Sequence, residues 1–419
     1  MENTMTNLPQ GWEVKKLEEI ANIKGGKRLP KGENLLDNNT KFAYIRVADF
    51  QDNGTINLQN IKFINENTYN VLKNYKIYDD NLYISIAGTI GKSGIIPKEL
   101  NGAILTENAV KLEYIQNNIS NKFMYFFTLS NIFKTQIQTS TKIVAQPKLA
   151  ITRLKQIQIP LPPLKEQERI VGILDESFAK IDESIKILEQ DLLNLDELMQ
   201  SALQKAFNPL KDNAKENYQL PQGWEWKSLG EICFITDGTH KTPNYIKTGI
   251  PFLSVKNISK GFFDLSDVKY ISLEEHNKLI KRAKPEFGDI LICRIGTLGK
   301  AIKISLEFEF SIFVSLGLLK PKVKIISDYL VYFLNSYFIE GWINNNKVGG
   351  GTHTAKLNLN ILEKCPVALP PLKEQEQIAS YLDELSLNIK DLKQNYQAQI
   401  KNLQELKKSL LDKAFKGRL

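Results

Sequence analysis

The chain has 419 residues, 42% of them hydrophobic and 24% charged. That length exceeds one ordinary core, and the balance excludes a disordered or collagen-like polymer. A formal net charge of +8 permits a polyanionic partner without requiring one. The longest strongly apolar stretch, FSIFVSLGLL (310–319), is about half the length of a membrane-spanning helix. The first nine residues are polar and do not resemble a secretory signal. Three dispersed cysteines, Cys233, Cys293 and Cys365, offer neither a disulfide framework nor a zinc pair, so a reducing cytoplasm is the expected setting.

In chain order, an opening block LPQGWEVKKLEEI begins at Leu8, and a polar segment GGKRLPKGENLLDNN (25–39) follows it. Strand signals come next in FAYIRVADF (42–50), NLYISIAG (81–88) and GAILTENAVKLEYI (102–115), the pattern of an α+β domain with a curved antiparallel sheet. GTIGKS (88–93) lacks the first glycine of a phosphate-binding loop, because Ile86 stands in its place, so it reads as a hairpin turn. KLAITRL (148–154) leads to LPPLKEQE (161–168). The two prolines keep the arriving chain extended, and a helix with acidic residues in its first turn can start only after them. Leu174 and then Ile181, Ile185, Leu188, Leu192, Leu195, Met199, Ala202 and Ala206 mark the apolar face of that helix; from Ile181 the steps alternate four and three, a coiled-coil seam.

The chain then repeats itself. LPQGWEWKSLGEI begins at Leu220, LICRIGTLGK (291–300) matches YISIAGTIGK (83–92), KLNLNIL (356–362) matches KLAITRL, and LPPLKEQE returns unchanged at 369–376. SALQKAF ends at Phe207 and SLLDKAF at Phe415. A period above 200 residues is too long for a solenoid and marks a duplicated domain. The second seam is expected at Ile378, Leu382, Leu385, Ile389, Leu392, Tyr396, Leu403, Leu406 and Leu410, with Gln399 as its one polar position. Each helix, of about 40 residues and roughly 60 Å, needs a partner for its stripe, either the other helix of the same chain, antiparallel, or a helix of a second chain.

Between the shared blocks the halves diverge, and the divergent loops carry hydrogen-bonding side chains. Lys27, Arg28 and Lys31 face Thr239, His240, Lys241, Thr242 and Tyr245; Arg46 and Asp49 face Ser254 and Asn257; Ser85 faces Cys293. Lys92, Lys256, Arg294 and Lys300 lie beside these clusters, and GGGTHT (349–354) adds Thr352, His353 and Thr354. These residue types read base edges and hold phosphates. No catalytic set accompanies them: His240, His276 and His353 lack metal-ligand spacing, and GxSxG, HExxH, a GxGxxG in strand-to-helix context and an NPPY-type tetrapeptide are all missing. Together these absences favour a binding protein.

Two variable regions, each ending in a PLPPLKEQE-type hinge and a long helix closing with KAF, resemble the specificity subunit of a type I restriction-modification system. DGTHKTP followed by GIPFLSVKNI resembles a recurrent target-recognition domain of that family. The resemblance implies a non-catalytic subunit whose target-recognition domains each read half of a split double-stranded DNA sequence. Two antiparallel coiled-coil helices would separate these α/β domains, fix the gap between half-sites and dock two methyltransferase subunits. Those partners would bind S-adenosylmethionine and methylate adenine N6, and a motor and nuclease subunit would join for cleavage; no cofactor is expected in this chain and no membrane. The expected architecture is therefore α+β, duplicated about a pseudo-twofold. Residues 1–160 and 211–368 would hold the recognition domains, 161–210 and 369–419 the spacer helices. Two other readings stay open: the specificity component of a fused restriction-methylation system, and a two-headed scaffold that does not bind DNA.

Overall fold

The computed structural model describes residues 8–38, 40–140, 148–207, 220–350 and 355–419. They form two compact units, one from Met1–Leu188 with Gln397–Leu419, the other from Glu189–Tyr396. The long helices Leu164–Ala206 and Leu372–Ala414, 43 residues each, contribute a part to both.

In the first unit a four-stranded antiparallel sheet runs in the order Ala21–Gly25, Ala109–Tyr114, Leu82–Ser85, Ser93–Ile95. The second unit repeats it with Cys233–Asp237, Leu316–Pro321, Ile290–Cys293 and Ala301–Lys303. The central strands read as unbroken apolar runs because both of their faces are covered. Leu82 and Ile84 enter the core beneath Phe123 and Phe127, while Tyr83 points to a second core with Phe50 and Leu105. Ile290 and Ile292 pair likewise with Tyr329 and Phe333, while Leu291 and Cys293 meet Leu253 and Ile312. Burial pushes the Cys293 thiol up to about 12.

A smaller mixed sheet accompanies each antiparallel one, and its parallel pairs, Ala43–Ile45 with Ala103–Leu105 and Ile250–Leu253 with Ser311–Ile312, were not part of the antiparallel expectation. GAILTENAVKLEYI is split between the two sheets, since a turn from Thr106 to Ala109 ends one strand and starts the next. The GTIGK and GTLGK loops close hairpins: Gly91 N–H donates to Ser85 O at 2.9 Å and Gly299 N–H to Cys293 O at 2.8 Å.

The shared blocks assemble around the hinge. Glu13–Lys16 pairs antiparallel with Gln158–Leu161, and Glu225–Ser228 with Pro366–Leu369, so the LPQGWE segment is tied to the strand that precedes the prolines. The helix begins directly after them. Its buried Gln167 donates to Pro162 O at 2.9 Å and Asn118 O at 3.1 Å and accepts from Ser120 N–H at 2.9 Å. Gln375 donates to Pro370 O at 2.8 Å and accepts from Ile326 N–H at 3.0 Å. The glutamine of KEQE is thus a latch between hinge and domain.

Both units show the helices pairing antiparallel within this chain. In the first, Lys407 bonds Asp182 at 2.5 Å and Arg169 donates to Leu419 O at 3.0 Å, so the partner residue falls as the other rises. In the second, Lys393 bonds Asp196, while Ala202 and Phe207 share a core with Ala379 and Leu382. The KAF phenylalanines are plugs: Phe415 sits 5.1 Å from Phe123 and 5.5 Å from Phe127, and Phe207 5.4 Å from Phe333.

On the first helix Leu174, Ile181 and Leu195 are buried and Ile185, Leu188 and Leu192 half-buried, as the seam requires. On the second, Leu382 and Ile389 are buried and Tyr396 and Leu403 half-buried, but two expected seam residues, Leu392 and Leu406, are exposed. Gln399 is exposed too, and Ile400 takes the inward position. From Ile389 the inward face advances through Lys393, Tyr396, Ile400, Leu403 and Lys407. A strict heptad count missed this because lysine stems can cover apolar surface while their ammonium groups reach the partner's carboxylate.

Candidate nucleic-acid interface

The variable loops of both units leave the sheet at an equivalent glycine. Gly26 N–H donates to Ala109 O at 3.0 Å, and Lys27 N–H to Leu105 O at 2.9 Å. In the second unit Thr239 N–H reaches Ile312 O at 3.1 Å. A Cβ at Gly26 would collide with the Thr106 carbonyl, and one at Gly238 with the Ile312 carbonyl, so only glycine lets the backbones approach this closely.

Beyond these glycines stand the first clusters expected from the sequence. In the first unit Lys27, Arg28 and Lys31 are exposed. The Lys27 ammonium lies 5.9 Å from the Tyr75 ring, and its backbone carbonyl accepts from Tyr44 Oη at 2.7 Å. Arg28 Nε donates to Glu107 at 2.8 Å, which raises its pKa. In the second unit Thr239 is half-buried and His240, Lys241, Thr242 and Tyr245 are exposed. Thr239 Oγ1 turns back to accept from Lys241 N–H at 3.2 Å, and Tyr245 stands 6.0 Å from Phe252. Lys92, half-buried, bonds Asp52 at 2.8 Å; Lys256 is exposed and Lys300 half-buried. Thr352, His353 and Thr354 lie outside the described residues.

Four expected surface groups prove internal. Asp49, 1% exposed, accepts from Arg46 Nε at 3.0 Å and Nη2 at 2.5 Å, and from the Arg46 backbone N–H at 2.8 Å. Asn257, at the equivalent position, accepts from Ser254 N–H at 2.9 Å and donates to Asp264 O at 3.0 Å. Both cap a short helical turn, so their polar atoms are spent on their own loop. Ser85 is fully buried beneath the hairpin, where its hydroxyl accepts from Lys92 N–H at 2.9 Å. Arg294 is buried as well, donating to Val314 O and Leu357 O, each at 3.1 Å, and to Asp237. Burial draws its pKa down, with Asp237 opposing the shift. Arg46 and Ser254 remain half-buried at the edge, and the bond to Asp49 raises the Arg46 pKa.

Asp237 and Arg282 are the functional candidates that residue types alone did not reveal. Asp237 is 1% exposed and receives Arg294, Arg282 and, at 3.0 Å, His240 Nε2. Arg282 follows the basic run KLIK (278–281), 45 positions from its acid, and only the fold brings the two together. Thr239, His240, Lys241, Lys278, Leu279 and Arg282 line a depression of about 430 Å³.

A family model described as the type I restriction modification DNA specificity domain matches residues 9–192 and again 221–402. The chain belongs to that family. As a specificity subunit with two target-recognition domains, it is 25% identical to the EcoBI specificity subunit of Escherichia coli, over all of this chain and 88% of that one. It is 24% identical to the EcoKI specificity subunit of Escherichia coli K12, over 98% and 90%. Among solved structures, a chain from a study of type I restriction-modification complex assembly and conformational transition aligns with TM-score 0.77 at 22% identity, over 99% of this chain and 100% of that one. The HsdS subunit of Thermoanaerobacter tengcongensis aligns at 0.64 and 22%, over the full length of both. Among the described residues of this specificity subunit no helix is long and apolar enough to cross a membrane, and no group of three or more His, Cys, Asp or Glu side chains could hold a metal.

Proposed function

We propose that each target-recognition domain reads one half of a bipartite double-stranded DNA target, and that the paired helices set the gap between the halves. The observation that carries this reading is a shared frame with unlike polar contents: equivalent glycines, caps and hairpins hold Lys27, Arg28 and Lys31 in one domain and Thr239, His240 and Lys241 in the other. Arg and Lys supply phosphate contacts and base readout, and half-site spacing follows from the protein between the reading elements. Residues 1–160 and 211–368 hold the reading parts, and 161–210 and 369–419 the spacer. The contact set is Lys27, Arg28, Lys31, Arg46, Lys92, Thr239, His240, Lys241, Thr242, Tyr245, Ser254, Lys256, Lys300 and the 352–354 loop.

Two methyltransferase subunits dock on the helical regions, since two identical partners need two equivalent surfaces and the KEQE-to-KAF blocks are written twice. Leu392 and Leu406, exposed on the second helix, are available to that dock. The chain itself performs no catalysis and works in the cytoplasm; the partners bind S-adenosylmethionine and methylate adenine, and a motor and nuclease subunit completes the complex.

Co-expression with the methyltransferase partner, followed by genome-wide mapping of methylated adenines, tests the reading. One split motif is expected, and methylation that persists unaltered when this chain is deleted overturns the assignment. Exchanging residues 25–157 for another variable region should change one half-site only. A heptad inserted in both helices should lengthen the gap and leave both half-sites unchanged.

A further inference from the structure

We propose that Arg282 reads a guanine in the half-site of the second recognition domain, through a guanidinium edge that Asp237 holds ready. The proposal deepens the DNA-reading assignment above and rests on it.

An arginine carries five N–H donors in a planar fork. In Arg282 Nε donates to the Asp237 backbone carbonyl at 3.2 Å and Nη2 to Asp237 Oδ1, so one edge is committed to a single residue. Three donors remain, two on Nη1 and one on the outer side of Nη2, and no hydrogen bond to a described residue takes them. The side chain is 54% exposed, whereas its anchor is 1% exposed. Asp237 is in turn fixed from below by Arg294, which is tied to two backbone carbonyls. The fork is therefore aimed, and side-chain entropy is already spent before a ligand arrives.

The remaining edge matches the O6 and N7 acceptors of guanine in the major groove. A phosphate contact needs only a positive charge, which the lysines of the depression supply, and gains nothing from a carboxylate beneath the guanidinium. The other paired arginines of the loops differ. Arg46 uses both Nη2 donors, on Asp49 and on Asn60 O at 3.1 Å. Arg294 is buried. Arg28 is held only through Nε, in a pair where its own side chain is 79% exposed.

The test uses the full chain co-expressed with its methyltransferase partner and reads methylated adenines across a genome. Arg282→Ala should relax one G·C position of one half-site by about tenfold or more and leave the other half-site unchanged. Arg282→Lys should not restore the preference, because an ammonium cannot make the two-pronged contact. Arg282→Gln, which keeps a donor for Asp237, is the second variant should the alanine form fail to assemble, and it should relax the same position. If methylation falls uniformly with the motif intact and Lys rescues it, Arg282 is a phosphate contact and the proposal fails. An unaltered motif and rate also overturn it. Replacing residues 233–362 with another variable region separates the two levels. If neither half-site then changes, the DNA-reading assignment itself falls. If one half-site changes but the Arg282 variants do nothing, only the arginine is wrong.

Discussion

The two recognition domains use one backbone plan and solve the loop differently. At the end of the first sheet strand the first domain has Gly25 and the second has Asp237; at the end of the central strand they have Ile86 and Arg294. Gly25 and Ile86 need no polar partner, so the first domain stabilises its loops locally, through the Arg46–Asp49 cap and the exposed Arg28–Glu107 pair. The second domain sinks a carboxylate into its core and hangs one buried and one exposed arginine on it. A buried ion pair contributes little net stability but is costly to break, so such a cluster fixes geometry more than it strengthens the fold. Between the two copies the chain varies at strand ends that face the loops, while the glycines Gly26 and Gly238 and the latch glutamines Gln167 and Gln375 stay the same.

Breaking the buried acid gives the largest expected effect. Asp237→Asn should destabilise the second unit by about 3–5 kcal/mol, because Arg294, itself buried, then loses the carboxylate that pairs with it. All three cysteines lie in the second unit and are buried, with thiols pushed up to about 12 by burial, so denaturant-dependent thiol labelling reports that unit alone. Labelling should begin at clearly lower denaturant in the variant. Asp49→Asn keeps the cap, as Asn257 does in the second domain, and removes only the charge from a pair whose arginine is partly solvated, so it should cost about 1–2 kcal/mol. Its effect should appear in thermal unfolding while thiol protection is retained; equal costs for the two variants would erase the contrast drawn between the domains.

The hinge latches should behave more alike. Gln167→Ala removes three hydrogen bonds and Gln375→Ala two, leaving buried hinge carbonyls unsatisfied at about 1–3 kcal/mol each, with the first variant the more damaging. Calorimetry of the two single variants checks the order.

The helix rim gives the smallest changes. Lys393→Ala and Lys407→Ala remove half-exposed ion pairs worth less than about 1 kcal/mol. Lys407 should matter more, since its ammonium also lies 4.7 Å from the Phe178 ring. Leu392→Ala and Leu406→Ala should leave the melting temperature nearly unchanged, within about 0.5 kcal/mol. A large loss of stability in either would restore it to the seam.

Much of this molecule was legible in the chain alone. Duplication shows in identical blocks, a hinge shows in paired prolines, and a long helix shows in alternating steps of four and three, because all three depend on local backbone chemistry or simple periodicity. The apolar runs at Leu82–Ser85 and Ile290–Cys293 announced central strands for the same reason. Residue type also marked the exposed loop lysines. It could not separate Arg46, half-buried at the edge, from Arg294, in the core, since both are arginines beside a strand. Nor could a heptad count tell that Ile400 rather than Gln399 faces inward. The Asp237–Arg282 pair joins a strand end to a loop 45 residues away, and the latch joins Gln167 to Asn118 and Ser120. Sequence determines what repeats locally. Which polar groups meet, and which are left to face a partner, was decided only when distant segments closed on one another.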